Sequence, residues 1–546
     1  MKMSTGVAGL DAMLRGGLPR GRTTLLHGET GTGKTMLGMH FLLAGVREEE
    51  PGVLLSFEER ADALRMNAAT LGWDLAGPER EGRLAILETR IDPQAVVAGQ
   101  YDFSGLYAVL EGVLSKLCAK RIVLDAVDVL LSMLNDPVRE RNELYRLHDW
   151  LLERGVSTLL TMRMTGDYAY YSFVEFMTDC VLRLRAEREG RERTLQVVKY
   201  RGSAFSGYPQ PYAMGERGFI VHPLTQLNLN YPVVLHRLPT GLPDLDDMLG
   251  GGYPAGAATV IAGASGTGKT TFVSTFAAAA CGRGEPTLYV NYEESSERIV
   301  AAMRSPGVDL QPALDNGLLS ILSPMPEAVS TEVHLDALFG SLRRHRAAHV
   351  ILDAVSAASR MHPGNGAFFF LLRVLHYCRT EGISVILTNQ LGGGERMDNA
   401  FGMGYSSLVD TIVHLDYVPV GGEVNRTLLV MKSRGSTHTN QYREFFISSH
   451  GIRFVPVYPG RGGMLTGVAR QEEEMREERE KREREHRIAS KRKELERLQA
   501  LLEAEVTARN ALISKERMEL QNMEREMNAT DQARAQRGRM RGKSET

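Results

Sequence analysis

Short, continuously apolar runs alternate along this chain with segments whose apolar residues recur three and four apart. TTLLH closes at His27 before a Gly-rich loop, MLGMHFLLAG follows Thr35, and GVLLSFEER, RIVLDAV and STLLTM come after it in order. A run of about four to eight apolar residues bounded by polar ones reads as a buried strand, whereas 3–4 spacing over about ten residues reads as one face of a helix. Strands apolar on both faces belong to a sheet covered by helices on both sides. The pattern therefore predicts an α/β fold built on a mostly parallel sheet flanked by helices.

The same series then recurs. TLYVNYEES, HVILDAV and SVILTN repeat the three later runs, and GASGTGKT at Gly263–Thr270 repeats GETGTGKT at Gly28–Thr35 after 235 residues. That offset also holds at Thr5/Thr240, Leu10/Leu245, Asp11/Asp246, Gly17/Gly252, Pro19/Pro254 and Gly21/Gly256. A period this long indicates two whole domains, since solenoid repeats run about 20 to 50 residues. The predicted organisation is a first domain over residues 1–221, a linker over 222–239 carrying Pro223, Pro232 and Pro239, a second domain over 240–460 and a tail over 461–546. Gly and Pro clusters in residues 5–27 mark an entry loop in each domain.

From Arg470 to Thr546 there are 20 Lys or Arg and 18 Asp or Glu, with no aromatic residue and no Pro, which predicts a long charged helix. Leu495, Leu498 and Leu502 keep 3–4 spacing, as do Leu520, Met523 and Met527, but Arg509 and Glu516 interrupt the seam. Two readings stand: a short or imperfect coiled coil, or a solvated single helix with a disordered tip.

The repeated glycine-rich stretch carries the chemistry. Each copy satisfies the phosphate-binding loop, with Gly28, Thr30, Gly31, Thr32, Gly33, Lys34 and Thr35 in one and Gly263, Ser265, Gly266, Thr267, Gly268, Lys269 and Thr270 in the other. Successive backbone N–H groups can wrap a phosphate only in a Gly-rich turn at a helix N-terminus; Lys34 or Lys269 neutralises it, and Thr35 or Thr270 reaches Mg²⁺. The expected ligands are ATP and Mg²⁺ at two sites. Glu58 and Glu59, repeated as Glu293 and Glu294, end strands at the crevice where such sheets bind ligands, so that one can orient or deprotonate a nucleophile. Asp125 and Asp353 close apolar strands in the Walker B pattern and are expected to hold the Mg²⁺. STLLTM, near Thr161, and SVILTN, near Asn389, sit where a nucleotide-sensing polar group is expected. Each domain ends with a Lys-x-Arg-Gly strand, Lys199 with Arg201 and Lys432 with Arg434, placing both cations on one face. A charged sheet edge is the plain alternative; recurrence in both copies favours a phosphate-directed role, in sites that otherwise lack an arginine.

Composition excludes some classes. A formal net charge of −2 supplies no general attraction to nucleic acid or an acidic membrane, and no run reaches about 18 apolar residues. The four cysteines, Cys118, Cys180, Cys281 and Cys378, lack metal-site spacing and read as reduced core residues of a cytoplasmic protein. A RecA- or DnaB-like DNA-dependent ATPase remains the alternative, but it wants a basic stripe, and residues 1–460 offer only RRHRAAH before Val350.

With both P-loops, Glu pairs, Walker B strands and Lys-x-Arg strands in place, residues 4–460 resemble the KaiC family of double-domain, RecA-like ATPases. The resemblance implies a two-tiered homohexameric ring with ATP between neighbouring subunits. The first tier would hydrolyse ATP slowly and the second would phosphorylate and dephosphorylate its own chain. It implies that Glu58 and Glu59 act on water, that Glu293 and Glu294 act on a protein hydroxyl, and that each Lys-x-Arg strand reaches the γ-phosphate of the adjacent subunit. The family's acceptor pair maps onto Ser406 and Ser407 in YSSLVDTI, whereas the first domain offers only Ser172 followed by Phe173. A KaiB-like or other signalling partner and a circadian or timer-like role are further implications. The long charged segment after Gly460 departs from the family's short tail, and tail-to-tail joining of two hexamers is expected of it.

Overall fold

The structure is a computed structural model. It describes residues 1–546 apart from 90–102, 164–167, 187–192, 225–233, 235, 362–365, 392–404, 421–422, 457, 461–462, 466 and 542–546. The chain forms two compact units, Met1–Val418 with Arg426–Pro456, and Pro419–Asn425 with Val457–Thr546.

The chain holds two nine-stranded sheets. In the first sheet, β1 (Thr23–Gly28) leads through the glycine-rich loop to α1 (Lys34–Arg47), followed by β2 (Gly52–Ser56), β3 (Leu84–Glu88), β4 (Arg121–Asp125) and β5 (Ser157–Arg163). Helix α2 (Tyr168–Met177) precedes β6 (Cys180–Ala186), β7 (Arg193–Tyr200), β8 (Gln210–Gly215) and β9 (Gly218–Val221). The order is β9-β8-β7-β6-β1-β5-β4-β2-β3, parallel from β6 to β3 and antiparallel from β6 outward. Strands β1, β2 and β4 are buried at every residue, as their unbroken apolar runs require between two helical layers.

The second sheet repeats this topology. It comprises β10 (Ala258–Gly263), β11 (Thr287–Asn291), β12 (Leu319–Leu322), β13 (His349–Asp353), β14 (Ser384–Gln390), β15 (Thr411–Val420), β16 (Glu423–Ser433), β17 (Arg443–Ser448) and β18 (Gly451–Pro456). Their order, β12-β11-β13-β14-β10-β15-β16-β17-β18, matches the first sheet strand for strand. Its helices include α3 (Lys269–Gly282), α4 (Thr331–His345), α5 (Gly366–Thr380) and the short α6 (Tyr405–Leu408).

Several of the residues repeated in the entry loops prove structural. Asp11 accepts from the Thr5 N–H and Asp246 from the Thr240 N–H, each at 2.8 Å. At Gly17 and Gly252 φ is positive, and a Cβ would lie about 2 Å from the carbonyl oxygens of Met3 and Leu238, so only glycine allows the backbones to approach. Between the domains, Arg373 donates both to Glu332 at 2.6 Å and to the His222 carbonyl at 3.2 Å, so α4 and α5 hold the chain where it leaves the first domain.

Cysteine placement corrects one expectation. Cys180, Cys281 and Cys378 are buried, but Cys118, the left-handed residue that ends the helix Ser104–Leu117, is exposed.

The second unit contains α7 (Gly467–Arg541), 75 residues long. At about 1.5 Å per residue it extends roughly 110 Å. Arg509 and Glu516 break the apolar seam but not the helix, and the expected tip is helical as far as Arg541, with 542–546 outside the described residues. Pairs such as Arg470–Glu474 at 2.8 Å and Arg482–Glu478 at 2.9 Å support it at about 0.2–0.5 kcal/mol each. Leu495, Leu498, Leu502, Leu520, Met523 and Met527 are all exposed. Among the described residues no helix is long and apolar enough to cross a membrane.

Candidate nucleotide sites

Parallel pairing gathers the strand ends that sequence reasoning singled out. Gly28 pairs with Arg163 and Ser56 with Asp125 in the first sheet, and Gly263 with Gln390 and Asn291 with Asp353 in the second. Both glycine-rich loops thus open at the carboxyl edge of a parallel sheet, where doubly wound folds bind ligands.

In the first domain Thr30, Gly31, Gly33, Lys34, Thr35, Glu58, Glu59 and Asp125 line one cleft of about 440 Å³. Gly33 takes the left-handed conformation at φ 86° and caps α1, turning the loop's N–H groups to the helix N-terminus. The Lys34 ammonium donates to the Gly28 and Glu29 carbonyls at 3.0 and 2.8 Å. Burial pulls its pKa down, while Asp128, Asp125 and Glu58 oppose the shift. A half-buried cation held by loop carbonyls beside the open space at Gly31 suits a phosphate. Thr32 is fully buried and donates to the Glu29 carbonyl at 2.7 Å, so its hydroxyl shapes the loop instead of facing ligand.

Asp125 is buried and fully engaged. Its oxygens accept from Thr35 at 2.8 Å and Thr161 at 2.6 Å, and the Thr161 oxygen in turn accepts from the Ala126 N–H at 2.8 Å. Burial raises the Asp125 pKa against both hydroxyl bonds. Glu59 is also raised, by burial and then by Asp125 and Glu58, whereas Glu58 is exposed. The residue expected to sense nucleotide, Thr161, thus acts on the Walker B carboxylate; its counterpart in the second domain is Thr388, next to Asn389.

The second site is similar in outline and different in detail. Lys269 donates to the Gly263 and Ala264 carbonyls at 2.9 and 2.8 Å, and burial lowers its pKa. The Asn291 amide oxygen accepts from the N–H groups of both Glu293 and Glu294 at 2.7 Å, fixing the turn that carries the acidic pair. Asp353 accepts from Thr388 on one oxygen and from Tyr289 at 2.7 Å on the other.

Two residues of the first cleft were missed. Asp128 accepts from the Arg163 N–H at 3.1 Å, and both side chains line the cleft. The expectation that the site lacks an arginine of its own is therefore corrected for the first domain. The signal was present, since Asp128 follows Asp125 in RIVLDAVD and Arg163 is the charge that closes STLLTM. The second domain has Ser356 and Gln390 there.

The Lys-x-Arg cations do not line that cleft. Lys199 donates to the carbonyls of Glu175, Phe176 and Thr178 at 2.6, 3.0 and 2.6 Å, and Arg201 to Phe176 at 2.6 Å, all at the end of α2. Lys432 donates to the Ser406 and Val409 carbonyls at 2.6 and 2.7 Å, and Arg434 to Ser407 at 3.2 Å. Burial lowers the pKa of both lysines. Ser406 and Ser407 are exposed on α6.

The family model described as "ATPase: KaiC" matches residues 3–226 and again 238–458. The chain belongs to the KaiC family. It is 38% identical to the circadian clock protein KaiC2 of Synechocystis sp. over 528 residues, covering 95% of this chain and 93% of that protein. With so little of the chain outside that match, the similarity continues into α7. Two circadian clock oscillator proteins KaiC, from Parasynechococcus marenigrum and Synechococcus elongatus, are 34% and 35% identical, covering 86% and 82% of this chain and 93% and 88% of theirs. The chain is accordingly a KaiC-family ATPase with two ATP-binding domains, and the DNA-dependent alternative is not favoured.

The described residues contain no cluster of three His, Cys, Asp or Glu fit to hold a metal. A Mg²⁺ held by one carboxylate, one hydroxyl, phosphate oxygens and waters needs none. The adjacent Thr35 and Asp125 oxygens suit such an ion in the first domain.

Proposed function

We propose that this KaiC-family ATPase is a Ser/Thr autokinase and autophosphatase, assembled as an ATP-bridged hexamer in the cytoplasm, which signals through its own phosphorylation state. The observation that carries this reading is the grip of Lys432 and Arg434 on the backbone of Ser406, Ser407 and Val409. It ties the acceptor serines to the cations that would meet a neighbour's γ-phosphate. In the transfer, the Ser406 or Ser407 oxygen forms a bond to the γ-phosphorus, the bond from that phosphorus to the ADP oxygen breaks, and the serine proton passes to Glu293. Lys269 neutralises phosphate charge within one subunit while Arg434 does so from the next. Mg²⁺ would supply further charge neutralisation, held by Thr35 with Asp125 and by Thr270 with Asp353. In the first domain Glu58 and Glu59 would orient water instead. No acceptor pair matches Ser406 and Ser407 there, which favours hydrolysis. The relatives' names as circadian clock proteins support a timer-like role with a KaiB-like or other signalling partner.

The test mixes a Lys269→Ala chain with a Ser406→Ala/Ser407→Ala chain in Mg-ATP and maps phosphate by mass spectrometry. Phosphate should appear on the first chain, which cannot use its own second P-loop. Mixed rings in which it never appears would rule out transfer between subunits.

A further inference from the structure

The internal duplication lets each nucleotide site act as the control for the other, and the two differ at the Walker B carboxylate. In the first domain the second oxygen of Asp125 accepts from Thr35, the P-loop hydroxyl, at 2.8 Å. In the second domain the corresponding oxygen of Asp353 accepts from Tyr289 at 2.7 Å. Among the described residues Thr270 makes no hydrogen bond to Asp353.

Tyr289 is built into the core and is not an accidental neighbour. It is fully buried in β11, opposite Ile351 in the ladder and two residues before Asn291, which pairs with Asp353. Leu54 holds this position in the first domain. The larger phenol is accommodated because Ser274, fully buried on α3, stands where α1 has Met39. A phenol hydroxyl set against a carboxylate oxygen at this distance is the donor of the pair. Met to Ser frees the room that Leu to Tyr takes up, and the phenol brings a hydroxyl directed at Asp353.

We propose that Tyr289 is a positioning residue of the second site: its hydroxyl occupies the Asp353 oxygen that the P-loop threonine shares in the first domain, and so loosens the hold of the second site on Mg²⁺. In the first domain the carboxylate and the threonine are already together, and an arriving ion finds both. In the second, the matching carboxylate oxygen is held by Tyr289, a core residue outside the P-loop, and among the described residues Thr270 makes no hydrogen bond to it. The inference rests on reading both sites as Mg-ATP sites.

Binding of Mn²⁺, as a probe for Mg²⁺, to the full chain saturated with a non-hydrolysable ATP analogue tests it by electron paramagnetic resonance of the free ion. The native chain should show two equal classes of bound ion. In Tyr289→Phe the weaker class should tighten about tenfold, the scale of one hydrogen bond to a charged group, while the tighter class stays put. Tyr289→Leu, which restores the first-domain residue but empties volume, should tighten the same class and also lower the melting temperature. A single class in the native chain, or an unchanged or weakened second class in Tyr289→Phe, overturns the proposal. So does tightening confined to the leucine variant, which would trace the effect to packing. Absence of any nucleotide-dependent Mn²⁺ binding removes the metal-site reading itself, and the inference with it.

Discussion

Thr161→Val isolates the hydroxyl that supports the Walker B carboxylate of the first domain. The two side chains have nearly the same shape, so the change removes chemistry and leaves packing almost intact. Two bonds are lost at once: the donation to Asp125 at 2.6 Å and the acceptance from the Ala126 N–H at 2.8 Å, both in fully buried surroundings. A hydrogen bond to a charged group contributes about 1.5–3 kcal/mol, and a buried N–H left without a partner costs about 1–3 kcal/mol. The first domain should therefore lose roughly 2.5–6 kcal/mol. For a domain of about 150–250 residues each kcal/mol moves Tm by about 2–4 °C, so a fall on the order of 10 °C is expected. Both tryptophans, Trp73 and Trp150, lie in this domain, and their fluorescence follows its unfolding selectively. Thr388→Val, the matched change in the second domain, should leave that transition in place. Activity supplies an independent readout. Burial already raises the Asp125 pKa and the Thr161 bond opposes this, so removing the bond raises it further. The acid limb of the ATPase pH profile should move to higher pH. A loss under about 0.5 kcal/mol together with an unmoved acid limb would refute the reasoning.

Two further outcomes are expected. Burial, then Arg47, lowers the His40 pKa to about 4, and its Nε2 accepts from the Phe219 N–H at 2.9 Å, so the native ring is neutral. Its folded pKa lies below the usual value of about 6.5, so its stabilisation is complete above pH 6.5 and is lost as pH falls towards 4. Urea unfolding followed by tryptophan fluorescence should show that slope, and His40→Gln should flatten it in part, since His27 is also lowered to about 4 by burial; an unchanged slope would count against the assignment. Six α7 helices leaving one ring would be held at high effective concentration, which favours their association with those of a second ring. Deleting residues 470–546 should then halve the assembly mass under ATP while phosphate remains detectable at Ser406 or Ser407, and a full-length mass equal to one hexamer over a wide concentration range would exclude the joining role.

The features legible in the sequence are those whose physical requirement is local. A phosphate cradle needs glycines, a lysine and a threonine within eight consecutive residues, so both P-loops could be read directly. A strand buried on both faces needs an unbroken apolar run, which exposed β1, β2, β4 and their duplicates. The 235-residue offset then determined that the domain occurs twice. The tertiary structure decided what each site residue touches, because a parallel sheet brings together side chains from strands that are distant in sequence. Thr35 and Thr161 meet on Asp125 across separations of 90 and 36 residues, and Tyr289 reaches Asp353 across 64. In the sequence Tyr289 is one more apolar strand residue; only the register of β11 against β13 shows that its hydroxyl ends on a carboxylate. The Lys-x-Arg pairs were legible as paired cations on one face, but their grip on the carbonyls of α2 and α6 depends on where those helices pack, which is a non-local property. Cys118 makes the same point: burial belongs to the folded surface, and no spacing rule could separate it from the three buried cysteines.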